Sequence, residues 1–390
     1  MQETSTEKTT LLTRDFVAAS VGQFFAFTAS GLTGPVFPLY MASLGFTESM
    51  TGLYLAAFSI VSFLVRPFYG GLSDKGQPRK ALDIAGLLTT VGQAAYLTAN
   101  PVVMLIARTV HGAGWAGVNV AGSAWVAYLA PAAQRAEALG YYTMVQRVGI
   151  AIGPVAGLWL VNNIGFFPAF AAAAMLSFCV LLSTRIATTP DRETPPVAST
   201  PPPTGTWLRR VIEPEALLGA GLLVVNVLPN ISVSAFMPLY FQSAGFEGIE
   251  FYFLALGIIG IVSRGATGKM ADRLGRKWSI IYGFALQLLG LLAIAVAPNV
   301  PLITVGGMIF IVGSAVCQPS LYALAIDRAL PNRRGAAMST YTMAFQVGNG
   351  FGSAIGGVIA EHLGFIALNW FSALTAIFAL AVAAIVTRRW

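Results

Sequence analysis

The chain has 390 residues, of which 56% are hydrophobic and 10% charged, with a formal net charge of +7. Its mean hydropathy is +0.72. A soluble domain carries about a quarter of its residues charged, so a soluble globular enzyme does not fit, and the basic balance reads as a face held against anionic lipid rather than a nucleic-acid surface.

A bilayer core about 30 Å thick takes about 20 apolar residues per helix, so twelve spans use roughly 250 positions. The polar stretch Met1–Thr13 comes first. The apolar run after it is too long for a signal peptide. Hydrophobic runs punctuated by turn residues predict helices over 15–40, 51–70, 82–99, 102–128, 140–161 and 167–184. The segment 185–215 then breaks the pattern, with six prolines between Pro190 and Pro203 among Ser and Thr. Such a stretch buries no core and favours extended chain, so it predicts a linker. Six more helices follow over 216–240, 251–267, 279–297, 302–326, 338–359 and 366–386. The expected division is a tail (1–14), a six-helix bundle (15–184), the linker (185–215), a second bundle (216–387) and a short tail (388–390). Cys179 and Cys317 stand alone in apolar runs and give neither a disulfide framework nor a metal cluster.

Lysine and arginine set the orientation. Alternate loops hold Lys75, Arg79 and Lys80; Arg135; Arg185, Arg192, Arg209 and Arg210; Lys269, Arg273, Arg276 and Lys277; and Arg328, Arg333 and Arg334. The opposite loops hold Glu48, Glu247, Glu250 and Glu361 but no Lys or Arg. Both termini and the linker are therefore expected on the cytoplasmic side.

The halves repeat each other. Pro38-Leu39-Tyr40 and Gly45-Phe46 recur as Pro238-Leu239-Tyr240 and Gly245-Phe246, 200 residues on. Tyr142-Thr143-Met144 recurs as Tyr341-Thr342-Met343, and Gly149, Gly153 and Gly157 recur as Gly348, Gly352 and Gly356. Two parallel six-helix repeats predict two bundles with a site between them near mid-membrane.

Three motifs carry a family likeness. The first follows the second helix of each half: Gly268-Lys269-Met270-Ala271-Asp272-Arg273-Leu274-Gly275-Arg276-Lys277, and Gly70-Gly71-Leu72-Ser73-Asp74-Lys75-Gly76-Gln77-Pro78-Arg79-Lys80, whose later glycine comes one residue early. The second is Arg108-Thr109-Val110-His111-Gly112-Ala113-Gly114 in the fourth helix, and the third is Gly149, Gly153, Pro154 and Gly157 in the fifth. In these the chain resembles the major facilitator superfamily over nearly its full length, and in the third motif its antiporter branch. The resemblance implies an all-α integral membrane fold of twelve transmembrane helices in two pseudo-symmetric six-helix bundles. It implies a conformational latch at Gly70, Asp74, Arg79, Lys80, Gly268, Asp272, Arg276 and Lys277, although positive charge for orientation alone also explains those cations. Related chains place an acid where Tyr128 stands here, whereas the second half has Asp327. The resemblance further implies proton coupling around Arg108, export by exchange and a monomer in a bacterial inner membrane, near drug, metabolite and sugar-efflux-like permeases.

Two strings are rejected. Gly112-Ala113-Gly114-Trp115-Ala116-Gly117 matches a dinucleotide fingerprint but lies inside an apolar helix with no preceding strand. Gly265-Ala266-Thr267-Gly268-Lys269 has the wrong spacing for a phosphate loop. No cofactor, metal or ATPase is expected, so energy comes from a gradient.

Polar residues within spans are costly and face cavities. Arg108, His111, Trp115 and Asn119 share one face of the fourth helix by spacing. Ser314, Gln318 and Tyr322 share a face of the tenth, and Gln318 is the repeat partner of Asn119. The first helix offers Gln23, Phe27 and Ser30, the seventh Asn226, Asn230 and Ser234, and the fifth and eleventh the repeat partners Arg147 and Gln346. The expected substrate contacts are Gln23, Trp115, Asn119, Arg147, Asn226, Asn230, Gln318, Tyr322 and Gln346; helix-packing hydrogen bonds are the alternative for any one of them. Arg108 and Arg147 lie well inside their spans, whereas Asp15 and Asp83 fall at helix ends. The missing buried carboxylate points to a neutral or anionic small molecule. His111 is the deep group that titrates near neutral pH; it is either the proton site, with Arg108, or a buried, satisfied histidine. The expected function is proton-coupled export of a small organic molecule, with lipid flipping, uptake, or a non-transporting receptor as alternatives.

Overall fold

The computed structural model describes residues 11–188, 212–327, 329 and 333–387, with the side chains of 132, 264–272, 334, 335 and 387 excepted. The first half runs α1 (Arg14–Ser43), α2 (Glu48–Asp74), α3 (Pro78–Ala95), α4 (Pro101–Leu129), α5 (Arg135–Asn163) and α6 (Phe166–Ile186). In the second half α7 is interrupted: Leu217–Val227, a π turn Ile231–Ala235, then Met237–Ala244. The helical stretch Ile249–Val296 breaks at Gly275 (φ 74°) into α8 and α9. After α10 (Val300–Asp327), the stretch Arg334–Thr387 breaks at Gly364 (φ 85°) into α11 and α12. Both breaks need the left-handed backbone that glycine adopts without strain. The fold is all-α, twelve helices in two six-helix halves, with no strand among the described residues. Eight helical stretches are long and apolar enough to cross a bilayer, one of them, Ala336–Val386, holding both α11 and α12.

Local chemistry sets the helix ends. Thr13 accepts the Phe16 N–H at 3.2 Å at the start of α1. Thr47 does the same for Met50 at 3.3 Å. Asn100 caps α4 ahead of Pro101, which fits the first helical turn. Within α7, Pro229 brings no N–H to the helical ladder, and the chain loosens there into the π turn. The repeat pattern does not forecast that interruption, because α1 continues as one helix through Pro35 and Pro38.

The halves meet chiefly at the end remote from the termini, here the far end. Gly52 of α2 lies so close to α11 that a Cβ would collide with the Ser353 carbonyl, and a Cβ on Gly357 with the Glu48 carbonyl. On the other flank a Cβ on Gly257 of α8 would lie 2.9 Å from Ala151 Cβ of α5. Two apolar clusters at this end mix the halves: one joins Leu32, Val36 and Phe37 to Ile231, Phe236 and Leu239, and the other joins Leu158 to Val233, Met237 and Phe241. Polar clasps reinforce them. The Ser49 N–H at the start of α2 donates to Glu361 at 3.0 Å, where a carboxylate suits the helix dipole. The Asn162 amide donates to Glu250. The clusters toward the termini are each confined to one half, Phe16 to Ala187 in the first and Ala216 to Ala383 in the second.

A larger residue at the glycine contact must push the far ends apart. Gly52→Leu is expected to cost the closed arrangement about 1–3 kcal/mol. The check is maleimide labelling of a cysteine placed at Leu39, a far-end residue packed against both mixed clusters. Labelling in detergent should speed up in Gly52→Leu; an unchanged rate would show that this contact does not hold the far end shut.

Candidate functional site

A cavity of about 400 Å³ lies between the halves. Gly31, Gly34 and Pro35 of α1 and Arg147, Ile150 and Pro154 of α5 form one wall; Asn226, Asn230 and Ser234 of α7, Phe253 and Ile261 of α8, Phe310, Ser314 and Gln318 of α10 and Phe345 of α11 form the rest. Among the described residues Arg147 is the one charged side chain on this lining, which includes no carboxylate. Asn226 is 2% exposed, and neither atom of its amide has a hydrogen-bond partner among the described residues. Gln318 spends its amide N–H on Ser314 Oγ at 3.0 Å. A largely apolar lining with a few converging polar groups is the pattern of a small-molecule site.

A second polar cluster is closed inside the first half. Arg108 lies over the rings of Phe37 and Phe58, its guanidinium carbon 4.5 and 4.7 Å from their centres. This arrangement stabilises a desolvated cation without a carboxylate. Its Nη1 donates to Tyr96 Oη at 3.4 Å. Tyr96 Oη is 3.1 Å from His111 Nδ1, and Gln93 Nε2 is 3.4 Å from His111 Nε2. Gln93 also donates to Ser177 Oγ at 2.9 Å and accepts from Thr33 Oγ1 at 3.0 Å. An amide nitrogen only donates, so with this amide orientation His111 Nε2 is an acceptor and the neutral ring carries its proton on Nδ1, toward Tyr96.

The glycines of the fifth helix pack it on α1. A Cβ on Gly149 would lie 2.7 Å from the Phe24 carbonyl, and one on Gly157 2.8 Å from that of Leu32, with Gly153 closer still. Pro154, in the same run, reaches the cavity. Gly348 and Gly352 repeat the arrangement on α11, where an added Cβ would lie 2.8 Å from the Val224 carbonyl and 2.7 Å from that of Leu228, respectively.

The sequence matches the profile of the Major Facilitator Superfamily over residues 19–275 and 253–389. The chain belongs to this superfamily. It is 26% identical to Multidrug resistance protein 1 of Bacillus subtilis over 345 residues, 87% of each chain. It is 28% identical to the quinolone resistance protein NorA of Staphylococcus aureus over 172 residues, so the match spans less than half of either chain, 44%. The fold also matches the nucleoside transporter NupG (D323A mutant; TM-score 0.74, 15% identity, 95% of this chain and 99% of that one). The xylose transporter XylE from E. coli is similar in fold, with TM-score 0.72, 16% identity and coverage of 95% and 96%.

Within this superfamily fold the sequence-predicted contacts separate. Arg147, Asn226, Asn230 and Gln318 come together on the cavity. Gln23, Trp115, Asn119, Tyr322 and Gln346 lie off its lining. Gln23 is buried beside Gly122, Trp115 packs on Phe27 with ring centres 4.6 Å apart, and Asn119 donates to the Trp115 carbonyl at 2.8 Å. Tyr322 packs edge-on against Tyr341, and Gln346 is buried. The shared face predicted for α4 therefore divides: Arg108 and His111 enter the closed cluster, while Trp115 packs against α1.

In the latch loops, Arg276 pairs with Asp327, the acid at the end of α10. Lys277 stands 5.9 Å from the Trp278 ring, Gly70 has open space around it, and Asp74, Arg79 and Lys80 sit at the α2–α3 turn. The surroundings of the latch residue Gly268 and the side chain of Asp272 lie outside the described residues. Asp15 accepts from the Thr188 N–H at 3.0 Å, and Asp83 takes the Thr184 hydroxyl. Glu213, buried where α7 begins, pairs with Arg333. Gln93, Tyr96 and the aromatic cavity wall do not stand out in the sequence. A lone glutamine in an apolar helix was the available signal for Gln93; Phe253 and Phe310 resemble lipid-facing residues in such a sequence.

Tyr96→Phe takes a partner from both His111 and Arg108 and is expected to cost about 1–3 kcal/mol of stability. Asn119→Ala loses one bond to its own helix and should cost less than about 1 kcal/mol. Thermal melts in detergent compare them; a smaller loss at Tyr96 contradicts this account of the cluster.

Proposed function

We propose that this chain is a secondary transporter that exports a neutral or anionic small organic molecule by alternating access, in exchange for protons. The observation that carries the reading is the cavity between the halves, where Arg147 shares a largely apolar lining with Asn226, Asn230 and Gln318 and, among the described residues, that lining holds no carboxylate. Relatives named for quinolone and multidrug resistance support a drug-like cargo. The twofold repeat supports two bundles rocking about that cavity, with the far-end clusters as the contacts that part. Arg147 is assigned to the anionic group of the cargo, and Asn226, Asn230 and Gln318 to its polar edge. Arg108 and His111 are assigned to proton coupling. The lysine and arginine distribution supports cytoplasmic termini in a bacterial inner membrane, with the α2–α3 and α8–α9 loops as the latch at that face. A monomer in the bilayer suffices for this cycle.

Proteoliposomes test the assignment. Wild-type protein is expected to move 2-naphthoate under a pH gradient. Arg147→Gln should lower that flux tenfold or more, the worth of a charge-assisted hydrogen bond, and leave a neutral analogue, 2-naphthamide, within about twofold. His111→Gln should abolish the pH dependence. Equal loss for both ligands in Arg147→Gln, or pH-driven flux intact in His111→Gln, contradicts the corresponding assignment. Absence of flux for any aromatic anion or neutral compound favours a non-transporting receptor.

A further inference from the structure

We propose that Gln93 and Thr33 form the relay that carries the protonation state of His111 to the cavity wall. This rests on the reading of His111 as the proton site. As the amide stands, Gln93 Nε2 faces His111 Nε2 at 3.4 Å and Gln93 Oε1 faces Thr33 Oγ1 at 3.0 Å. A second proton on the imidazole goes to Nε2, where it meets two amide hydrogens. The conflict ends when the amide turns over, so that Oε1 accepts from His111 Nε2–H and from the Ser177 hydroxyl, and Nε2 donates to Thr33 Oγ1.

The turn changes what Thr33 does. The hydroxyl has one hydrogen and two acceptors in reach, Gln93 Oε1 and the Ala29 carbonyl of its own helix at 2.9 Å. With His111 neutral, the hydrogen serves Gln93. With His111 protonated, Gln93 no longer accepts it, and it passes to Ala29. A threonine hydroxyl bonded to the carbonyl four residues back bends a helix. The helix is soft at this point, because Pro35 brings no N–H to the Gly31 carbonyl. Gly31, Gly34 and Pro35 are cavity wall. One proton in the closed cluster thus alters the bend of α1 beside the ligand.

The groups that face His111 from its neighbours fit a switch of this kind. Tyr96 stands at Nδ1, Arg108 is one turn away on α4, Phe58 of α2 packs edge-on at 5.1 Å, and Gln93 brings in Ser177 of α6. Among the described residues no carboxylate contacts His111, so a proton there is balanced by no fixed anion and must be met by rearrangement.

The test needs no ligand. A cysteine at Gly34, where a Cβ meets nothing within 4 Å, reports on the α1 wall, and one at exposed Ser43 corrects for thiol ionisation. Both are placed in a Cys179→Ser background. The ratio of their labelling rates by a small maleimide is expected to change about fivefold between about pH 6 and about pH 8, the worth of one hydrogen bond. His111→Gln, Gln93→Leu and Thr33→Val should each flatten the change; Thr33→Val nearly keeps the volume and guards against a folding defect at Gln93. A ratio flat in His111→Gln but still pH-dependent in Thr33→Val and Gln93→Leu overturns the relay and leaves the proton site standing. A ratio that does not change in wild type, or changes equally in His111→Gln, overturns the proton site itself.

Discussion

The rest of the structure depends on how closely α2 can approach α11 at the far end, and α5 approach α8 between that end and the cavity. Between apolar helices in lipid there is little hydrophobic drive, so association comes from packing and short polar contacts, and small residues allow both. Gly52, Gly257 and Gly357 remove the side chains that would hold the halves apart. The mixed apolar clusters and the clasps at Glu361 and Glu250 complete the seal. Because the contact is concentrated toward one end, the space behind it becomes a cavity walled by both halves. A contact made of packing and two carboxylate clasps, with no covalent tie among the described residues, is one that can part and re-form.

Inside the first half a different constraint operates. Polar groups buried in a bilayer protein need partners from within. Arg108, His111, Tyr96, Gln93, Thr33 and Ser177 supply one another, and two aromatic rings cover the cation. The cluster draws on α1, α3, α4 and α6, so it ties that bundle into one body. The cavity is treated otherwise: the Asn226 amide is left without partners and Arg147 is set among apolar walls. An amide such as that of Asn226, left short of partners at a cavity wall, favours a ligand that brings them.

Much of the architecture was legible in the sequence. Composition required a membrane protein, the spacing of apolar runs placed all twelve helices, and the 200-residue repeat gave the two halves. The site was legible only in part, for a physical reason. In a soluble helix the polar face marks the surface; in a membrane helix a polar face marks a cavity, a buried hydrogen-bond cluster or a helix contact, and periodicity does not distinguish them. So Arg147, Asn226, Asn230 and Gln318 line the cavity, whereas Trp115 and Asn119, which share a face with Arg108 and His111 by spacing, meet different neighbours. Repeat symmetry misled in the same way. Asn119 and Gln318 are sequence partners, but the second half contributes four helices to the lining and the first contributes two, so the partners have different surroundings. The break in α7 also lay beyond the repeat, since α1 tolerates its own prolines without interruption.

The central claim is that the two ends of the molecule open in alternation about the cavity. Distances between spin labels on cysteine pairs measure this directly. One pair spans the far end, at Ser43 and Ser243, and the other spans the termini end, at Lys75 and Arg273, all exposed positions. With 2-naphthoate and a change from about pH 8 to about pH 6, one distance should lengthen while the other shortens. Two distances that stay fixed, or that change together in the same sense, would contradict it.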